Sequence, residues 1–184
     1  MSKNMTFEEV FEFADKIPGS FTRLSAEMLY GETMRWGPDS IFVEVGVDQG
    51  RSASVLLHAA RIFGASVYLI DSWESVLIDN LWKVQSMAIN NFPDVLCHVI
   101  NKKSVDAARE VVGLIDLIHI DANHYDDNPA KDCEAWLPKL RSGGVACFHD
   151  YGATFPAVTE AVDKYTAGWE DLGIYDGLAI RRKP

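Results

Sequence analysis

The chain has 184 residues, 48% hydrophobic and 24% charged, enough for one domain with a sizeable core. Its 17 basic residues against 27 acidic ones leave a net charge of −10 without a basic stripe, so no nucleic-acid partner is expected. Cys97, Cys133 and Cys147 are odd in number, far apart and set among apolar neighbours, which argues for buried free thiols in a reducing compartment rather than disulfides or a structural zinc. The opening MSKNMTFEEVFEF lacks a signal-peptide core and no apolar run nears the roughly 18 residues of a membrane span. A soluble, cytoplasmic protein with no membrane partner is the expectation.

Thr6 and Glu9 make a capping-box pattern ahead of FEEVFEFADKI, PGS at 18–20 punctuates, and FTRLSAEMLYGETMRW resumes a helical pattern as far as GPDS. From residue 41 the pattern alternates. Strand candidates at 41–47, 66–71, 95–100, 115–121 and 144–148 are separated by amphipathic segments at 52–63, about 75–91, 104–112 and 129–140. Repeated strand-then-helix argues for parallel βαβ units. A helix at 156–166 and a hairpin across 170–182, turning through YDG, complete the chain. The expected architecture is α/β: a Rossmann-like, seven-stranded, mostly parallel sheet with a C-terminal antiparallel hairpin and helices on both faces. It forms a single domain, with N-terminal helices at 1–37, a binding core at 41–150, and a C-terminal helix and hairpin at 151–184.

In an open parallel sheet the ligand crevice lies beyond the carboxyl ends of the strands, so residues closing the strands matter most. IFVEVGVDQGRSA sets Glu44 inside an otherwise apolar run and follows it with Gly46 and Gly50. An acid there is expensive unless it is paired or meets donors at the strand end. The glycines permit a tight turn and close backbone approach, and Ser52 opens the next helix toward the same crevice. Asp71 closes the second strand and suits the two hydroxyls of a ribose. Asp121, Asn123 and His124 follow the fourth strand, and His149 and Asp150 the fifth. Duller readings stand beside these: Glu44 or Asp71 as helix caps, and Asp121 and Asp150 as loop acids. His58, His98 and His119 read as core or face residues, and Trp36, Trp82 and Trp136 as packing. The loop GVDQGR lacks the middle glycine of the dinucleotide fingerprint, which favours a ligand without a pyrophosphate.

This E-x-G-x-x-x-G loop, with Asp71 ending the next strand, resembles the first two motifs of class I S-adenosylmethionine-dependent methyltransferases. IDLIHIDANHYDDNPAKDCEAWLPKLRSGGVACFHDY, 37 residues from Ile115, resembles the segment shared by macrocin-type sugar O-methyltransferases and cephalosporin-hydroxylase-like proteins, the methyltransferase family 24 group. The resemblance covers about residues 40–151. It implies that Glu44 and Gly46 border the methionine part of the cofactor, with Gly50 and Ser52 in the turn and helix start. It places Asp71 on the ribose, Trp73 and Ser104 by the adenine, and Asp121 at the cofactor as well. In metal-dependent members, positions matching Asp121 and Asp150 bind magnesium, and that of His149 is sometimes a third ligand. An imidazole there either tolerates a softer metal such as manganese, hydrogen-bonds outside the metal's ligand set, or signals that no metal binds.

The implied reaction is O-methylation of a small hydroxylated molecule, a sugar or polyphenol, assisted by Mg²⁺ or Mn²⁺. The alternative is a hydroxylase-like or regulatory S-adenosylmethionine-binding protein without methyl transfer. Where related enzymes carry a second Asp two residues after the first metal acid, this chain has Asn123. An amide has no useful protonation equilibrium, so His124 is the expected general base, Asn123 orients the acceptor or cofactor, and His149 is the reserve base. The chain is short for a lid, and a homodimer is one way to supply it.

Overall fold

The computed structural model describes residues 6–74 and 77–184. Seven strands, β1 (Ile41–Val45), β2 (Ser66–Asp71), β3 (Leu96–Asn101), β4 (Ile115–Ile120), β5 (Leu140–Phe148), β6 (Glu170–Tyr175) and β7 (Leu178–Arg182), form one sheet in the order β3-β2-β1-β4-β5-β7-β6. The first five are parallel, and β7 runs antiparallel between β5 and β6. This is the expected architecture. The crossovers run outward from β1 to β3 and then return to β4, so the switch point lies between β1 and β4.

Strand alternation builds the two layers. On β1, Phe42 faces one side while Val43 and Val45 face the other. Helices α1 (Phe7–Ala14), α2 (Arg23–Thr33), α3 (Arg51–Phe63) and α4 (Ile78–Asn91) cover the Phe42 side. The Val43 side is covered by α5 (Ser104–Ala107), α6 (Asn128–Trp136) and α7 (Pro156–Tyr165). The capping box forms as expected, with Thr6 Oγ1 accepting from Glu9 N and Glu9 accepting from Thr6 N. At the amino end of the sheet, buried Asp116 ties strands together: it accepts from Ile41 N at 2.8 Å and from Arg141 Nη1 at 2.6 Å.

Several boundaries differ from expectation. The helix expected over 104–112 ends at Ala107, because the following residues turn to bury Val111 at 2% exposure while Val112 stands out at 76%. Buried Ala107, Ala108 and Val111 keep the i, i+1, i+4 spacing of a helix although the helix ends at Ala107. β5 starts at Leu140 rather than 144, since the register of the β4–β5 pair shifts between Ile115 and Leu117 and absorbs the glycine pair as an irregularity. Residues 75 and 76 of the expected fourth helix lie outside the described residues, and its described part begins at Ile78. Trp82, expected in packing, is 63% exposed on α4. Cys133 and Cys147 are buried free thiols, and Cys97 is half-buried. No helix among the described residues is long and apolar enough to cross a membrane.

Gly46 fixes the spacing at the switch point. Its φ is 89°, and a Cβ there would fall 2.0 Å from the backbone oxygen of Asp121. Two strand-end loops therefore pass in direct backbone contact, and only a residue without a side chain fits. By contrast, Gly64 closes α3 at φ 74° with nothing within 4 Å of its would-be Cβ. Gly46→Ala should lower Tm by roughly 5–15 °C, whereas Gly64→Ala loses only the left-handed backbone preference, about 1 kcal/mol. Calorimetric melting of both variants checks this, and equal losses would contradict it.

Candidate active site

A cavity of about 620 Å³ opens where the carboxyl ends of β1, β2 and β4 diverge. Its walls come from the loop after β1, the end of β2, the start of α5, the loop after β4, Asp150, and residues 18–21 from the N-terminal segment.

Asp71 organises the β1 side. Its Oδ2 accepts from Val47 N at 2.9 Å and Asp48 N at 2.8 Å, so one carboxylate oxygen holds the glycine loop open against the sheet. Its Oδ1 accepts only a longer bond, 3.2 Å, from Trp73 N and lines the cavity with capacity to spare. Asp48, Trp73 and Asp150 have φ of 47°, 33° and 59°, a conformation that side chains disfavour. All three follow strand ends around the cavity, where surrounding contacts hold such backbone in place.

Trp73 departs from expectation. Its ring is 1% exposed, and its Nε1 donates to Asp48 O at 2.8 Å. It does not line the cavity; it braces the loop from behind. Ser104 does line the cavity, but its hydroxyl is engaged, donating to Asp132 and accepting from Trp136 Nε1 at 2.9 Å. Burial raises the Asp132 carboxyl to about 6, against the opposing bond from Ser104.

Glu44 is completely buried and lies beneath the cavity rather than in its wall. The strand register places it beside His119 on β4, and both project to the α3 side. Ser52 Oγ donates to Glu44 Oε1, and His119 Nδ1 lies 3.0 Å from the same oxygen. Burial pushes the Glu44 carboxyl above its usual range, while His119 and Ser52 pull it down. His119, read from sequence as a core residue, is thus the partner that makes the buried acid tolerable. Alternation was the available signal, because residues 44 and 119 both break apolar strands. Ser52 reaches up from this pair into the cavity wall, and Gly50 caps α3 with φ 91° close to Met87.

Across the switch point, Asp121, His124 and Asp150 converge. One ligand atom from each lies within 4.8 Å of the others. His124 Nε2 is 2.9 Å from Asp150 Oδ2 and 3.3 Å from Asp121 Oδ1. The Asp121 contact, opposed by burial, raises the His124 pKa. Burial would raise Asp121, but the imidazoles of His124 and His149 hold it below the usual carboxylate range. His149 sits behind this trio at 6% exposure and does not line the cavity. Its Nδ1 is 3.3 Å from Asp121 Oδ1 and 3.2 Å from Asp150 Oδ2, within ion-pairing distance of both. Burial would lower His149, yet the two acids raise it to about 9. Among the described residues the metal-competent group therefore contains His124 where sequence reasoning had put His149. Asn123 lines the cavity with its side-chain oxygen already accepting from Tyr125 N at 2.9 Å.

Sequence reasoning passed over Arg51, Asp48, Phe21 and Lys131, all of which line the cavity. The lining cations are each paired: Arg51 with Asp15 at 2.6 Å, Lys103 with Glu74 at 3.6 Å, and Lys131 with Asp127 at 2.8 Å.

Residues 43–151 match the family model of a methyltransferase domain. Solved structures share the fold over most of the chain. S-adenosylhomocysteine-bound PaMTH1, a methyltransferase of Podospora anserina, is 17% identical with a TM-score of 0.71, covering 97% of this chain and 87% of that one. A Staphylococcus aureus protein provisionally described as a caffeoyl-CoA O-methyltransferase is 20% identical, with a TM-score of 0.68 and coverage of 98% and 93%. An rRNA methylase of Streptococcus thermophilus is 15% identical, with a TM-score of 0.66 and coverage of 90% and 99%. Such distant likeness establishes the fold, and the acceptors in these names differ widely. The match to the family model spans more than half of the sequence, and the chain belongs to the methyltransferase-domain family.

Proposed function

We propose that the protein is an S-adenosylmethionine-dependent O-methyltransferase acting on a small hydroxylated molecule, a sugar or polyphenol, with a divalent cation at Asp121, His124 and Asp150. The convergence of those three residues beside the cavity carries the reading. The cofactor is supported by the family match and by the S-adenosylhomocysteine held by a structural neighbour. When bound it supplies an electrophilic methyl group. Transfer of that methyl group to the acceptor's oxygen would leave S-adenosylhomocysteine and release the hydroxyl proton.

The chain's own residues mainly position the reactants. Asp71 presents Oδ1 to the ribose while its other oxygen keeps the loop in place. The cavity around Ser104 takes the adenine, with Trp73 supporting from outside. Gly46 lets the loops meet, and Ser52, backed by Glu44, faces the methionine end. Asn123 keeps an amide N–H pair for the acceptor.

The residues fit a cation. Two carboxylates from separate strand ends face each other, balanced only by imidazoles, and His124 Nε2 already occupies hydrogen-bonding distance from one of them. A set of two oxygens and one nitrogen suits Mn²⁺ or Mg²⁺ completed by water. A bound cation would make the acceptor's hydroxyl more acidic. This assigns His124 to ligation, so the role of general base expected from sequence passes away from it. Because each described lining cation is already paired, an acceptor bearing several phosphates fits poorly.

Incubation with S-adenosylmethionine and a panel of catechols and free sugars should yield S-adenosylhomocysteine, quantified by chromatography. Chelation should suppress turnover, and Mn²⁺ or Mg²⁺ should restore it. Full activity in excess chelator would remove the cation. Asp71→Asn should weaken S-adenosylhomocysteine binding about 10- to 100-fold by calorimetry. His124→Ala should reduce both Mn²⁺ affinity, followed by electron paramagnetic resonance, and turnover, the latter by roughly 10²-fold or more. Unchanged Mn²⁺ affinity with lost turnover would return His124 to the role of base.

A further inference from the structure

Arg51, the first residue of α3, reaches away from the cofactor loop toward the N-terminal segment. Its Nε donates to Phe21 O at 2.9 Å, its Nη1 to Ile17 O at 3.1 Å, and its Nη2 to Asp15 Oδ1 at 2.6 Å. One guanidinium thus binds three points of a seven-residue stretch, 15–21, that has no strand or helix of its own beyond the end of α1. The side chain is only 16% exposed, and its aliphatic part packs against Gly19. Pro18, Gly19, Ser20 and Phe21 then form a wall of the cavity.

Phe21 makes that wall consequential. It is 4% exposed and its ring lies 5.2 Å from that of His119 and 5.5 Å from that of His149. Behind it, His119 Nδ1 pairs with Glu44, and His149 Nδ1 lies 3.3 Å from Asp121 Oδ1 and 3.2 Å from Asp150 Oδ2. An apolar ring seated against both imidazoles keeps water from those pairs, so its placement bears on the acids at the cavity. Arg51 Nε donates to the Phe21 carbonyl and anchors the residue that carries this ring.

We propose that Arg51 is a positioning residue that clamps segment 15–21 as the acceptor-side wall, so that Phe21 and its neighbours set which acceptors reach Asp121 and Asp150. The inference rests on the methyltransferase reading for its substrate, but the clamp itself does not. It explains why the residue directly after Gly50 is a long, multidentate cation: its guanidinium's hydrogen bonds serve the wall segment, and none among the described residues goes to the loop after β1.

Hydrogen exchange read by mass spectrometry tests the clamp in the whole chain. In Arg51→Gln, the hydrogen-bonded amides of 15–17 should exchange about 10- to 100-fold faster than in the wild type, while β1 and β4 keep their protection. Arg51→Lys should recover part of the difference. In turnover with catechol, Arg51→Gln should raise the acceptor KM about tenfold or more, with the S-adenosylhomocysteine Kd within about twofold of wild type. Unchanged exchange at 15–17 would overturn the clamp. A freed segment with an unchanged acceptor KM would overturn its role as the acceptor wall. If the wild type methylates no acceptor, the proposed function fails, and the exchange rates still decide the clamp.

Discussion

The site depends on a backbone crossing: the loop leaving β1 touches the loop leaving β4 at Gly46 and Asp121. That contact brings two functional groups of residues to one cavity. On one side Asp71 holds the glycine loop through its amides, and on the other Asp121 meets Asp150 and His124. A side chain at position 46 would separate the two halves. Methyl transfer needs nucleophile, carbon and sulfur in line, and a displacement of about 1 Å can forfeit much of the rate.

Beneath this crossing lies a buried polar layer. Glu44, His119 and Ser52 pair under the loop, and His149 sits under the acid pair. Buried polar groups are tolerated when they are paired, and unpaired atoms mark places where another group or a change of state is called for. Here Phe21 packs against the His119 and His149 rings at the edge of the cavity. The Glu44 that interrupts IFVEV is therefore support for the floor of the site, one step removed from the ligand.

Strand order was not read from the sequence, but parallel pairing and the terminal hairpin were legible in it because apolar runs and amphipathic segments alternate from residue 41 to 148. So were the acids at strand ends, since topology sends those positions to one edge. Other features depend on distance and were hidden. Trp73 looked like an adenine neighbour, yet its backbone turns at φ 33° and carries the ring under Asp48. His149 directly precedes Asp150 and His124 follows Asp121 by three residues, and only the left-handed turn at Asp150 and the loop after β4 decide that His124 joins the two acids. Arg51 read as one more polar residue at a helix start, because its partners are 30 to 36 residues earlier in the chain.

The account turns on one cavity holding a nucleoside on the Asp71 side and a cation on the Asp121 side. A crystal structure grown with S-adenosylhomocysteine and Mn²⁺, with anomalous data at the manganese edge, tests this most directly. The account predicts ribose hydroxyls on Asp71 and an anomalous peak among Asp121, His124 and Asp150. A nucleoside bound elsewhere, or manganese absent from those three residues in a crystal saturated with it, would contradict it.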